Sequence, residues 1–378
     1  MELGTVLSVL RSVAPEALAE PWDKVGLQVG EAGQAVARAL LCIDYTEGVL
    51  AEAVGLGCEL VVAYHPPIFG PLTELTDRSW KPRLLRNTIQ AGVAVYAPHT
   101  ALDVVRGGVN DWLAEGIAAG DPGAVFEPLE PREARRDEFK VVVFVPVAEA
   151  EKVRGAMAGA GAGGIGHYRE CSWETAGVGG FRPVEGANPS IGEVGTRETV
   201  KETRLEMICP GSRLAGVLAA LREAHSYEEP AFDVFQLAAE PVTADRAAGV
   251  GRLVRLGEAI TGRALAGRVR ERLGAPGAKL GGADSEVRTV ALCVGAGGKL
   301  FEGVEADGYV TGEMQHHQAL DLVVWGKAVV LPGHTWTERP YLPVYRDRLA
   351  EAAEALGGGV DWRVSEADAV PLSWVGGD

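Results

Sequence analysis

Seven histidines occur in the 378-residue chain. Five of them (His65, His99, His316, His317 and His334) fall at the ends of apolar runs that read as strands. VAVYAPHTALD (93–103) and AVVLPGHTWTE (328–338) are each an apolar run ending in His-Thr, with a carboxylate four places after the histidine. These pairs are His99 with Asp103 and His334 with Glu338. A histidine leaving a strand, with an acid one helical turn later, places both side chains on one face. Two such pairs facing each other, with His65 at the end of ELVVAYH (59–65), offer imidazoles and carboxylates. Borderline divalent ions such as Zn, Mn, Fe(II) or Ni accept that donor set. His65, Asp103, His334 and Glu338 are therefore the candidate ligands of one or two divalent ions per chain. A single histidine packs more often than it ligates, so the cluster carries the argument. His167 and His225, in the middle of the chain, read as packing residues.

Neighbouring residues have two readings each. Asp44, after the strand ALLCIDY (39–45), is either an acid standing behind a ligand or the cap of a helix beginning near Thr46. The turn VGAGG (294–298) either cradles an anion with its amides or is a tight turn with no ligand. Trp22 and Asp23, in EPWDKVGLQVG, line a pocket or order the N-terminal segment; the second reading is preferred.

The elements that position these residues are strands alternating with helices. Besides the runs already named, VRTVALCVG (287–295) reads as a buried strand, and EGVLAEAVGLG (47–57) and GGVNDWLAEGI (107–117) read as helices. The alternation predicts a largely parallel or mixed sheet with helical cover. The two ends of the chain echo each other. LLCID (40–44) precedes a helix and then AYHPP (63–67); ALCVG (291–295) precedes a helical stretch and then GEMQHH (312–317). Cys42 to His65 and Cys293 to His316 are equally spaced, which sets His316 in the position matching His65. The fold class is thus α/β, with duplicated α/β/α halves forming one metal-binding domain. Carboxylates at strand ends of an open α/β sheet stand where ligands usually bind.

The middle differs. A charged stretch, PLEPREARRDE (128–138), reads as a linker. FKVVVFVP, a helix over 148–159 and GHYRECSW (166–173) then form one strand–helix–strand unit. TRLEMICP, a helix over 212–224 and AFDVFQLA (231–238) form a second. Two such units predict an inserted ferredoxin-like α+β domain. The expected boundaries are 1–134 for the first half, 135–240 for the insertion and 241–378 for the second half, with AAEPVTADR (238–246) as the return.

Bulk properties narrow the class. The hydrophobic fraction of 47% suffices for more than one core. A net charge of −16 argues against a nucleic-acid partner, which needs a basic surface. No run approaches the roughly 20 apolar residues of a membrane span. MELGTVLSVLRSVAPEALAE reads as an amphipathic helix and not a signal peptide. Five scattered cysteines, never CxxC, fit reduced thiols in a cytoplasmic protein.

The residues also resemble a known family through WDKVGLQVG, AYHPPIFGPL, YAPHTALDVVRGGVNDWLA, DGYVTGEMQHHQALD and PGHTWTERPYL, in that order over nearly the whole chain. They are similar to the NIF-three-like dinuclear-metal-centre proteins, often labelled GTP cyclohydrolase I type 2 homologues. GGFRPVEGANPSIGEVG and HSYEEPAFDV likewise resemble the CutA-like domain inserted in longer members. The resemblance implies two metals held by a tandem His-His, an Asp and a late His…Glu pair, in a toroidal homohexamer. Carried over, the second histidine of the tandem is His65, the Asp is Asp103, and the late pair is His334 and Glu338. The first histidine of the tandem is replaced by Tyr64, a poor neutral ligand with a phenol pKa of about 10. The ion at His65, Asp103 and Glu338 is then the better supported. If both bind, Glu338 bridges them at about 3.5–4 Å, as in two-metal hydrolases, and Glu313, His99 or His317 carries protons. The first expectation is a metal-dependent hydrolase acting on a nucleotide or related small molecule. The alternative is a non-catalytic metal-binding scaffold, sensor or interaction protein. A metal-free nucleotide binder resting on VGAGG leaves the His/carboxylate cluster unexplained.

Overall fold

The computed structural model describes residues 1–132, 138–165, 168–237 and 248–372. The chain divides into two compact units, Met1–Ala134 with Thr243–Asp378, and Arg135–Val242. Much of both expected linkers, and His167, lie outside the described residues.

The first segment runs α1 (Leu3–Val13), β1 (Gly26–Val29), β2 (Arg38–Cys42), α2 (Glu47–Leu56), β3 (Leu60–Ala63), α3 (Trp80–Gln90), β4 (Ala94–Ala97), α4 (Thr100–Val104), α5 (Val109–Ala118), β5 (Val125–Glu127) and β6 (Glu130–Pro131). The insertion holds β7 (Glu138–Pro146), α6 (Ala150–Gly159), β8 (Ser172–Phe181), β9 (Glu198–Pro210), α7 (Leu214–Ala224) and β10 (Phe232–Gln236). The return holds β11 (Gly249–Val250), β12 (Arg252–Thr261), α8 (Gly262–Leu273), β13 (Lys279–Gly281), β14 (Glu286–Cys293), β15 (Gly308–Thr311), α9 (His316–Val324), β16 (Ala328–Leu331), α10 (His334–Glu338), α11 (Leu342–Ala355) and β17 (Asp361–Val364).

In the larger unit one sheet has the order β1-β4-β3-β2-β17 and another β13-β16-β15-β14-β12-β5. Each is built on three parallel strands, β2-β3-β4 or β14-β15-β16, with an antiparallel neighbour, β1 or β13, beyond the last. The strands are apolar without alternation because both faces are covered. Leu41 and Val62 face a core shared with Leu292, Val310 and Val330 of the other sheet. Leu40 and Val61 face Val49, Ala53 and Leu84 of α2 and α3. α2 starts where Thr46 accepts from the Val49 amide and stops at Gly57, whose φ of 66° suits a residue without a side chain. Part of the expected first linker is strand: β6 pairs with β11, and β7 already begins at Glu138.

The echo between the halves is real in topology but shifted in register. Cys42 pairs with Ala63 and Cys293 with Thr311, so the residue matching His65 is Glu313, and His316 lies further on, at the start of α9. A ten-residue helix separates β2 from β3, whereas a five-residue 3-10 turn (Gly297–Phe301) follows β14. Equal spacing in sequence therefore does not mean equal position.

The smaller unit has one antiparallel sheet, order β10-β7-β9-β8, which is the strand order of a ferredoxin-like βαββαβ unit. α6 and α7 cover one face through Val153, Met157, Val217 and Leu221 against Val141, Val143, Leu205 and Met207. The strand expected at 166–173 begins only at Ser172 and continues to Phe181. β8 is an edge strand with almost no buried residue, so no alternation marks it in the sequence.

Candidate metal centre

The ends of β3 and β16 bring the predicted histidines together. After β3 the amides of Tyr64 and His65 donate to the carbonyls of Cys42 and Ile43, at 2.8 and 3.1 Å, which carries both residues along the end of β2. α10 opens at His334, and Glu338 closes it with only 4% of its surface exposed. His65 Nε2 lies 3.5 Å from Glu338 Oε2, and His334 Nε2 lies 3.3 Å from Glu338 Oε1. One donor atom from each of the three residues falls within 4.8 Å of the others.

The outer nitrogen of each imidazole is held by a carboxylate. His65 Nδ1 pairs with Asp44 Oδ1 at 3.0 Å, and His334 Nδ1 pairs with Glu313 Oε1 at 2.9 Å. Asp44 thus stands behind a candidate ligand, while Thr46 is the helix cap. The same device recurs beside the cluster, where Asp23 Oδ1 holds His99 Nδ1 at 2.7 Å and Oδ2 accepts from Thr100 N at 3.1 Å and from its hydroxyl. Carboxylates that fix the ring and tautomer of an imidazole are the usual outer partners of metal-ligating histidines. Asp23 therefore orders more than the N-terminal segment: it fixes His99, whose backbone has a positive φ of 35°. The His99 ring packs against Tyr64 and Trp22, with centroids 5.7 and 6.2 Å away, and lies 5.5 Å from His65.

Charge is concentrated here. Burial opposes ionisation of Glu338, but the His334 and His65 imidazoles outweigh it and hold the carboxyl down at about 2. Burial disfavours a charged His65, yet the carboxylates of Asp44 and Glu338 raise it to about 10. Glu338 and then Glu313 raise His334 to about 9.

The donor set fits a divalent ion. Glu338 Oε2 is buried with no hydrogen-bond partner, facing an imidazole nitrogen. Ligand bonds of about 2.0–2.1 Å at tetrahedral angles separate neighbouring donor atoms by roughly 3.3–3.4 Å, close to the spacings around Glu338. Glycines make the room. A Cβ on Gly295 (φ 65°) would stand 2.7 Å from Glu338 Oε1, and one on Gly312 would stand 2.6 Å from the His334 Cα.

Asp103 is placed differently from the other expected ligands. It falls outside the three-residue group, and its Oδ1 accepts a hydrogen bond from the Tyr64 hydroxyl. Burial lifts the Asp103 carboxyl to about 7 against that hydrogen bond, and burial with the neighbouring Asp103 charge pushes the phenol well up. Glu313 binds His334 and holds it in place. His317 is exposed on the first turn of α9, where its ring meets that of His316 at 5.4 Å, and it does not join the cluster. Of the two readings of VGAGG the tight turn fits better, because three of its amides are taken within the protein: Val294 N donates to Asn110 Oδ1, Gly295 N to Thr337 Oγ1 and Gly297 N to Thr311 Oγ1. The turn instead admits the side chains of Glu338 and His334.

Asp368 was not visible from sequence. It is buried and accepts from the Ile43 amide at 2.7 Å and from Arg339, the residue after Glu338. No spacing rule links positions 325 residues apart.

A family model described as Duf34/NIF3 (NGG1p interacting factor 3) matches residues 1–371. The chain belongs to the Duf34/NIF3 family. This NIF3-family chain is 35% identical to a Bacillus subtilis protein named GTP cyclohydrolase 1 type 2 homolog, over 98% of each. It is 31% identical to the rat NIF3-like protein 1, covering 98% of this chain and 92% of that one. A crystal structure of a Bacillus cereus protein related to NIF3 aligns over 99% of both chains, with a TM-score of 0.65 and 36% identity. Among the described residues no helix is long and apolar enough to cross a membrane.

Proposed function

We propose that this chain is a divalent-metal-dependent hydrolase acting on a nucleotide or related small molecule, with an ion held by His65, His334 and Glu338. The observation that carries the reading is the buried Glu338 carboxylate, its Oε2 without a hydrogen bond, set between two imidazoles whose far nitrogens are tied to carboxylates. The name of the Bacillus subtilis relative, GTP cyclohydrolase 1 type 2 homolog, supports the choice of nucleotide. A divalent ion bound there supplies Lewis acidity, polarising the substrate and making water a nucleophile near neutral pH. The protein's own residues do the rest. Asp44 and Glu313 keep the rings of His65 and His334 turned towards Glu338. His99, with Nδ1 fixed by Asp23, keeps Nε2 for proton exchange with substrate or water. Asp103 is retained as ligand of a second position, in competition with its hydrogen bond to Tyr64.

Elemental analysis of the purified protein beside a His65→Ala/Glu338→Ala variant tests the metal. One or two equivalents per chain in the parent, lost in the variant, are expected; two equivalents assign Asp103 to the second ion, and one means that Tyr64 retains it. Metal in neither protein after reconstitution overturns the proposal. GTP hydrolysis by metal-replete protein tests the chemistry, with a loss on the order of 100-fold expected for His99→Ala. The Tyr64–Asp103 hydrogen bond favours a second reading, a non-catalytic metal-binding protein, because it withdraws one oxygen ligand. Metal binding without nucleotide turnover would support that reading.

The sequence resemblance supports a CutA-like insertion and a cytoplasmic homohexamer. Light scattering returning six chains per particle is the expected result for the assembly.

A further inference from the structure

The inserted unit carries a cavity that the metal centre does not use. α6 and α7 cover the face of its sheet that bears Val141, Val143, Leu205 and Met207. The alternate residues point the other way: Phe144 pairs with Arg204 and Gly177 with Glu202, and cross-strand partners share a face. Over that second face, residues 182–191 after β8 and 227–231 before β10 wall a cavity of about 630 Å³. The walls are braced by Asn188 N donating to Glu228 Oε2 at 2.9 Å and by Gly195 N donating to Pro183 O at 2.8 Å. The first of these walls belongs to the β8–β9 connection, residues 182–197, which holds no helix or strand, and an ordered connection of that length is usually functional.

Glu202 is the unusual lining residue. It is only 8% exposed, and its one hydrogen-bond partner among the described residues is the Tyr227 hydroxyl, at 2.9 Å on Oε1. No lysine or arginine among the described residues pairs with it, and the nearby Arg204 is taken by Glu206 at 3.0 Å. Oε2 lies across Gly179, where a Cβ would stand 2.0 Å away, and a Cβ on Gly177 would meet nothing nearer than 4.0 Å. The glycines of β8 thus leave the cavity open above a carboxylate. A carboxylate removed from water with a single neutral donor is costly to bury. The lining holds Glu202, Glu228 and Glu229 against Arg182 and Arg204, so acids outnumber bases there.

We propose that this cavity binds a small organic cation, an ammonium or amidinium on an apolar body, with its charge on Glu202 and its body against Phe144, Phe181 and Tyr227. The cation offsets the desolvated carboxylate, and the aromatic faces add cation–π attraction. The inference is independent of the metal centre, because every residue it uses lies in Arg135–Val242.

Calorimetric titration of the full-length protein with 2-phenylethylamine, its neutral analogue 2-phenylethanol and the anion 3-phenylpropionate tests it. Saturable binding of the amine is expected, weakened roughly tenfold or more both for the alcohol and by Glu202→Gln, which is at least 1.4 kcal/mol. Gly177→Leu, whose side chain enters the cavity, should abolish binding of the amine, with circular dichroism and metal content unchanged. Equal affinity for amine and alcohol, preference for the anion, or indifference to both substitutions would overturn the proposal. So would the absence of saturable binding by any of the three compounds.

Discussion

Three histidines in the larger unit, His65, His99 and His334, share one arrangement: a carboxylate on Nδ1 that fixes the ring. For His65 and His334 the other ring nitrogen, Nε2, faces Glu338. The partner acids come from different places: Asp44 from the end of β2, Glu313 from the end of β15, and Asp23 from the segment before β1. Removing an acid that orients a metal-ligating imidazole typically costs 10–100-fold in affinity, so Asp44→Asn is expected to weaken metal binding by about that factor. Competition with a chromophoric chelator measures the change. An unchanged affinity would mean that His65 is not a ligand. The His99…Asp103 and His334…Glu338 pairs were legible in the sequence because four-residue spacing on a helix is a local property. The outcome for Asp103 was not legible, since nothing in the spacing says that the residue in the tandem position, Tyr64, hydrogen-bonds to it.

At the scale of elements, the duplicated halves explain why the cluster exists at all, since each presents a parallel strand end followed by a short helix with the His…acid pair. The sequence echo located the halves but not their register, because the connections after β2 and β14 differ in length. A second contact that joins elements is Glu52 on α2, which accepts from the Ser365 hydroxyl and from the amides of Glu366 and Ala367, at 2.9 and 3.1 Å. Burial opposes its charge, but these donors outweigh burial and hold the carboxyl below its ordinary value. A carboxylate with a depressed pKa adds stability above its unfolded value of about 4.3 and loses it as the pH falls through the folded value. Glu52→Gln should therefore lower the urea midpoint at neutral pH, and the gap to the parent should close as the pH drops below that of an ordinary carboxyl. A gap that persists in acid would show that the charge of Glu52 is not what matters.

Across the whole larger unit, the chain leaves for the insertion and must return to the same core. Arg252, 1% exposed, marks the return: it pairs with both oxygens of Asp111 on α5 and donates to the carbonyls of Gly249 and Gly251 at 2.6 and 2.7 Å. Removing one partner of a buried pair leaves an uncompensated charge, so Asp111→Ala is expected to cost about 3–5 kcal/mol in urea unfolding. A loss below about 1 kcal/mol would place the pair among ordinary surface bridges.

The order of strands and helices in the two halves, the choice of His65, His334 and Glu338 as candidate ligands, and the presence of a distinct middle unit were determined by the sequence alone. Each rests on local periodicity or on residue chemistry at short spacing. The tertiary structure alone decided that Asp103 pairs with Tyr64, that Glu313 occupies the place matching His65, and that the glycine turn makes room for Glu338. It alone placed Glu202 on the uncovered face of the inserted sheet. Those outcomes depend on contacts between residues tens to hundreds of positions apart, and such contacts are fixed by packing and strand register, which leave no periodic trace in a single chain.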